Sequence, residues 1–250
     1  MPERGALRVE ALSAGYRAGR PVVSDLDVTV GEGEVVTVIG PNGAGKSTLI
    51  KAIAGLAHVE GGRIEYLDTN LVDIAPHRMA QFGVAYVPQT ANVFQTLSVR
   101  RNLMLAARRT AEMGNSRLGG KHRVEAMFAL FGGLREKHKS PAGNLSGGQR
   151  QMLAIAMALI AQPTLVLMDE PTAGLAPRAA EEVLALIRDI GSDGAAVLLV
   201  EQNARAALRI SDRAYVLANG RNQLDGPAAN LLADPAVGEI YLGVRPRAGA

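Results

Sequence analysis

An α/β fold with an antiparallel β region and a separate helical lobe is predicted by three features of this sequence. Continuous apolar, β-branched runs at residues 35–39, 165–168 and 197–200 read as buried core strands, and the first of them leads directly into a helical pattern. Alternating apolar and polar residues at 7–12, 26–30 and 63–67, separated by turn glycines, read as half-buried strands of an antiparallel sheet. Apolar positions at three- and four-residue spacing dominate residues 98–160, which predicts a helical lobe.

Taken in order, the strand at 7–12 runs toward a turn bracketed by Gly15 and Gly19 that contains Tyr16. Gly31, Gly33, Gly61 and Gly62 supply further turns. A strand over 83–87 is stopped by Pro88, which has no N–H to give a ladder, and Gln89 follows immediately. Two helical stretches, VRRNLMLAARR and HRVEAMFALFGGL, form the lobe, with breaks expected at 114–120 and at Gly132 and Gly133. The apolar helix over 152–160 is preceded by LSGGQRQ, and the strand at 165–168 ends in Asp169, Glu170 and Pro171. Glu201, Gln202 and Asn203 follow the last core strand; short strands at 214–217 and 223–224 and a small helical tail from Pro227 complete the chain.

Composition narrows the chemistry. With 250 residues, 48% of them hydrophobic, the chain can bury a full core as one large domain or two lobes. No apolar run approaches the roughly 18 residues that span a bilayer, so action across a membrane requires partners. The beginning, MPERGALRVE, carries charges without a hydrophobic stretch, so no secretory leader is read and the cytosol is the expected location. Zero cysteines rule out disulfides and thiolate metal sites, and His58, His77, His122 and His138 lack ligand spacing. The formal charge of +3 is too small to argue for nucleic acid, but residues 100–139 hold ten Lys or Arg against three Glu. That stretch is either a solvated helix face or one that meets an anionic surface.

The chemistry concentrates at GPNGAGKST, made of Gly40, Pro41, Asn42, Gly43, Ala44, Gly45, Lys46, Ser47 and Thr48. Three glycines between a strand and a helix let successive N–H groups converge on phosphate oxygens at the positive end of the helix. Lys46 is spaced to reach the β- and γ-phosphates and Ser47 to bind Mg²⁺, a pattern specific enough to predict nucleotide binding. Ser146, Gly147, Gly148 and Gln149 form a second helix start with exposed N–H groups; by itself this is also an ordinary serine cap. Asp169 is placed to hold Mg²⁺ and Glu170 to polarise an attacking water, while Gln89 can bring its amide oxygen toward either. Tyr16 offers a ring for an adenine or packs as a strand-end tyrosine.

Phosphate loop, Gln89, LSGGQ, Asp169 and Glu170, in this order over nearly the whole chain, resemble the ATP-binding subunit of an ABC transporter. The resemblance implies a P-loop NTPase core of ABC-ATPase type over 1–97 and 161–250, including an antiparallel β subdomain, and a helical subdomain over 98–160 carrying the LSGGQ sequence. It implies ATP and Mg²⁺ as ligands, Tyr16 as the adenine-stacking ring, Gln89 as the mobile glutamine and Glu170 as general base. It also implies a head-to-tail pairing of two ATPase subunits, with each ATP between one phosphate loop and the other subunit's LSGGQ. The sequences GLAP, VEQN and YLG resemble ATPase subunits of branched-chain amino-acid importers, with urea or amide importers close by and lipid exporters further off. That resemblance implies two transmembrane permease subunits, a second and different ATPase, an extracytoplasmic substrate-binding protein, and a place on the cytoplasmic face of the membrane. A soluble ABC ATPase acting on nucleic acid usually carries a long coiled coil or a zinc module, and neither is present. Three residues depart from the general pattern: Ala176 replaces an aspartate, Gln202 replaces a histidine that contacts the γ-phosphate, and Arg101 replaces the acid of a reciprocal cap after Ser98. Gln202 can donate through its amide but cannot carry a proton.

Overall fold

In the computed structural model, which describes residues 6–90, 92–112 and 119–241, the chain opens with β1 (Leu7–Gly15), β2 (Pro21–Val30) and β3 (Val35–Ile39). Next come α1 (Lys46–Ile53), β4 (His58–Tyr66), β5 (Thr69–Asn70) and β6 (Val84–Val87), then α2 (Val99–Glu112), α3 (Gly120–Leu130), α4 (Gly132–Glu136) and α5 (Gly147–Leu159). The last part holds β7 (Leu165–Asp169), α6 (Pro177–Ser192), β8 (Ala196–Val200), α7 (Ala204–Leu208), β9 (Arg213–Ala218), β10 (Arg221–Pro227), α8 (Ala228–Ala233) and α9 (Pro235–Tyr241).

Two sheets result. The larger has the order β10-β9-β3-β8-β7-β6, parallel except for the β9–β10 pair, and the smaller, β2-β1-β4-β5, is antiparallel as the alternating strands predict. Core strands read as unbroken apolar runs because both faces of the larger sheet are covered. Val35, Ile39, Val166, Met168, Val197 and Leu199 face the core built with α2, α3, α5 and α6. Their neighbours Val36, Val38, Leu165, Leu167, Leu198 and Val200 face a second core shared with α1 and the antiparallel sheet. Parallel strands put their carboxyl ends on one edge, so the segments that follow β3, β6, β7 and β8 emerge side by side.

Several boundaries differ from the sequence reading for identifiable reasons. Gly83 lies outside β6, at φ 76°, where it ends a 3-10 turn and sits against Thr164; a Cβ there would collide with the Thr164 hydroxyl. Gly132 and Gly133 begin α4 rather than a loop, and the chain turns at Phe131, whose side chain is buried. Helix α5, by contrast, starts at Gly147 directly after the Ser146 cap that the sequence offers, and Gly148 is a packing position: a Cβ there would press on the Ala179 methyl group of α6. Of the break expected over 114–120, residues 114–118 lie outside the described residues, and Gly120 is already helical.

The turn before α2 lacks a reciprocal carboxylate, as Arg101 predicts, although the Ser98 hydroxyl still accepts the Arg101 N–H at 3.3 Å. Asn102 fixes the turn in another way. Fully buried, it accepts the Phe94 N–H at 2.8 Å and donates to the carbonyls of Phe94, Leu97 and Ser98. Asn102→Ala leaves the Phe94 N–H without a partner, while the three carbonyls keep the backbone N–H groups of Leu97, Ala142 and residue 102, and is expected to cost about 1 to 3 kcal/mol. A urea unfolding midpoint equal to that of the wild type would contradict this.

The basic stretch is partly engaged by other residues of the lobe, mostly at its surface. Arg100 and Arg135 both bond Glu125, Arg123 is buried with its guanidinium on the Ile160 carbonyl, and Lys137 donates to Gln149. This favours an internally bonded face over a uniformly free positive surface. Arg117 lies outside the described residues.

Candidate nucleotide site

The phosphate loop is built by exclusion. Gly40 follows β3 at φ 153°, and a Cβ there would strike the Leu217 carbonyl of β9; Gly45 caps α1 at φ 99°, where a Cβ would strike Val23. Only glycine meets both conditions, and α1 then points its N-terminal N–H groups across the loop. Below the loop, the Gly220 N–H donates to Ala44 O at 3.1 Å, while Asn42 and Gly43 are exposed at its rim. Lys46 is buried and folds back, its ammonium donating to Gly40 O at 2.9 Å and Pro41 O at 3.1 Å. Burial lowers its pKa, opposed by the nearby carboxylates of Glu170, Asp169 and Glu201. A cation held on the loop that leads into a helix N-terminus fits a phosphate chain, whose oxygens can take over from the two carbonyls.

The neighbouring strand ends bring the remaining groups. The Ser47 hydroxyl donates to Asp169 Oδ1 at 2.8 Å across 122 residues, and the Tyr86 hydroxyl donates to the other oxygen at 3.4 Å. Asp169 is only 3% exposed, and two hydroxyls leave lone pairs of this carboxylate unused; a hard cation beside Ser47 and a phosphate would fill them. Burial and Asp169 together push the Tyr86 phenol up, so it stays a donor. Gln89 donates its Nε2 to Glu170 Oε2 at 2.8 Å, so these two residues meet even though 81 residues separate them. Glu170 sits at φ 48°, a left-handed backbone that is rare for a residue with a Cβ, and its N–H donates to Val200 O at 2.8 Å.

Tyr16 is 55% exposed at the end of β1, with the Thr48 hydroxyl 3.5 Å from its own and the Lys51 ammonium 5.8 Å from its ring. An exposed ring beside the start of α1 is placed to stack on a base. At the second helix start, Ser146 accepts the Gln149 N–H and Gln149 accepts the Ser146 N–H, a complete capping box. The serine-cap reading is therefore realised, and Gly147 stays exposed at the helix start. Among the described residues no hydrogen bond joins 40–48 to 145–149. Gln202 is exposed; its N–H donates to Glu201 Oε2 at 3.2 Å and its carbonyl accepts the Ala204 N–H at 3.0 Å. Its side chain is not bonded to the other candidate residues.

Two further residues belong to the site. Glu201 is 2% exposed and accepts both the N–H and the hydroxyl of Thr172. Tyr241, at the end of α9, accepts the Gly40 N–H at 2.9 Å, and burial pushes its pKa up to about 12. A charge directly after an all-apolar strand is the signal that Glu201 offered; Tyr241 offered none, being 201 residues from its partner. Leu242 and Gly243 of the YLG sequence lie outside the described residues.

A phosphate loop after β3, an acidic pair at the end of β7 and a glutamine after β6 define a P-loop nucleotide-binding ATPase. Residues 23–173 match the family model described as ABC transporter, and the chain belongs to that family of ATP-binding ATPases. It is 40% identical over 239 residues to a probable branched-chain amino acid transport ATP-binding protein, LivF, of Archaeoglobus fulgidus, covering 95% of this chain and 99% of the relative. It is 40% identical over 219 residues to the high-affinity branched-chain amino acid transport ATP-binding protein BraG of Pseudomonas aeruginosa, covering 88% and 92%. The lipopolysaccharide export system ATP-binding protein LptB of Escherichia coli K12 is 34% identical over 239 residues, covering 95% and 97%. Among solved structures, the ADP conformation of an ATP-binding cassette of an ABC transporter superposes with a TM-score of 0.83 at 28% identity, covering 96% of this chain and 99% of the other.

Proposed function

We propose that this chain is the ATP-hydrolysing subunit of an importer for branched-chain amino acids, bound at the cytoplasmic face of the membrane. The observation that carries the chemical part is the Ser47–Asp169 bond at 2.8 Å, which joins the phosphate loop to the acidic pair. In this reading the loop N–H groups and Lys46 hold the phosphates, and Tyr16 stacks on the adenine. Ser47, Asp169 and Gln89 would hold Mg²⁺, which neutralises charge on the β- and γ-phosphates. Glu170 accepts a proton from the attacking water, with Gln89 setting the direction of its carboxylate. Ser146, Gly147, Gly148 and Gln149 serve the ATP held by a neighbouring ATPase subunit, which accounts for two phosphate-binding devices on one chain.

The importer reading rests on the LivF and BraG relatives together with GLAP, VEQN and YLG. Such an assembly holds two transmembrane permease subunits and works with an extracytoplasmic substrate-binding protein. Among the described residues no helix is long and apolar enough to cross a membrane, in keeping with a subunit that needs permeases. The LptB likeness supports lipid export as the second reading. We further propose that the ATPase partner is a different chain, because the exposed Gln202 lacks the imidazole of the usual residue and a sibling can supply it. Purifying the native complex through a tag on this chain should recover a second ATPase and two permeases. Recovery of two copies of this chain with full transport and no second ATPase would overturn the heterodimer.

A further inference from the structure

Glu201 is a buried carboxylate that the phosphate chemistry above does not use. An ionised carboxylate is costly to bury unless its oxygens are bonded, and here they are: Oε1 accepts the Thr172 N–H at 2.9 Å and the Thr172 hydroxyl at 2.7 Å, and Oε2 accepts the Gln202 N–H. An apolar residue would fill the same space at lower cost, so the carboxylate is explained by what it holds. Thr172 lies two residues after Glu170, in the turn where Ala173 N–H donates to Glu170 O at 3.1 Å. That turn carries the left-handed Glu170, at φ 48°, and such a backbone persists only where its surroundings fix it. It is stitched to two consecutive residues at the end of β8: Val200 O takes the Glu170 N–H at 2.8 Å, and Glu201 takes Thr172. Glu201 is itself anchored, its N–H donating to Val38 O of β3 at 3.2 Å, two residues before the phosphate loop.

We propose that Glu201 is a positioning residue for hydrolysis: it ties the strand that carries the phosphate loop to the turn that carries Glu170, and so fixes the Glu170 carboxylate relative to the γ-phosphate. The proposal rests on reading Glu170 as the general base. Glu201 touches neither nucleotide nor water; it acts through Thr172. Burial raises its pKa, in keeping with a carboxylate enclosed by protein.

The test measures kcat for phosphate release in the purified assembly and, separately, the equilibrium Kd for ATP on this chain, both with Mg²⁺. Glu201→Ala should lower kcat by about ten- to a hundredfold, the scale of a misplaced reacting group, while Kd stays within about threefold. Thr172→Val, which removes one of the two Thr172 bonds and keeps the side chain's shape, should lower kcat less and should add nothing on top of Glu201→Ala. Glu201→Gln keeps an acceptor for Thr172 and should recover part of the loss. A wild-type kcat for Glu201→Ala, or additive effects of the two substitutions, would overturn the proposal. If Glu201→Ala does not fold, Thr172→Val decides alone, by a lowered or an unchanged kcat at constant Kd. Glu170→Gln serves as the control. Should it stop hydrolysis while Glu201→Ala keeps the wild-type kcat, the positioning role fails and the base assignment stands; should it leave hydrolysis intact, both fail.

Discussion

Replacing Lys46 by alanine is expected to weaken ATP binding by about a hundredfold or more. The ammonium is buried and already held by two loop carbonyls, so binding exchanges Gly40 O and Pro41 O for phosphate oxygens without first ordering the side chain. Removing one member of a buried, hydrogen-bonded charge pair costs about 2 to 5 kcal/mol. The fold should survive, since alanine is the best helix former and α1 keeps its glycine cap. The wild-type site carries a pH signature as well. Burial lowers the Lys46 pKa in the nucleotide-free protein, and phosphate oxygens raise it, so ATP binding takes up protons on the alkaline side and affinity falls as pH rises there. Equilibrium binding against pH, for wild type and Lys46→Ala, checks both. Equal affinities would remove Lys46 from the site.

Glu170→Gln is expected to slow hydrolysis by roughly 10² to 10⁴ while ATP still binds. The substitution keeps the shape of the side chain and an oxygen that can accept from Gln89, but it removes the group able to take a proton. Among the described residues the neighbouring carboxylates are engaged elsewhere: Asp169 with Ser47 and Tyr86, and Glu201 with Thr172 and Gln202. Phosphate release measured at saturating ATP separates this variant from Lys46→Ala, which should respond instead to ATP concentration. Equal turnover in wild type and Glu170→Gln would rule out the base assignment.

The parts of the site that were legible are those written in consecutive residues. Residues 40–48 announce themselves because one loop must supply the glycine conformations, the lysine and the hydroxyl together. Asp169 and Glu170 were legible because charge follows abruptly on a run that needs burial on both faces. What was hidden depends on approach through space. Tyr241 meets Gly40 only because α9 packs beside the end of β3, and no periodicity in the tail reports a hydroxyl aimed at a backbone N–H. Asn102 reads in sequence as one polar residue on a helix, whereas in the fold it ties the Phe94 N–H and carbonyl to the start of that helix. The start of helix α5 was legible from Ser146 as a cap, although glycine is a poor helix former; what the sequence does not report is that Gly147 and Gly148 face Leu175 and Ala179 closely.

The most direct test of the account uses the membrane assembly purified through a tag on this chain. Phosphate release from Mg²⁺ and ATP is followed with and without the substrate-binding protein loaded with leucine, isoleucine or valine. The account predicts hydrolysis that the loaded binding protein stimulates, that stops when Mg²⁺ is chelated, and that is lost with Glu170→Gln in this chain. Hydrolysis that ignores both the loaded binding protein and the Glu170→Gln substitution would contradict it.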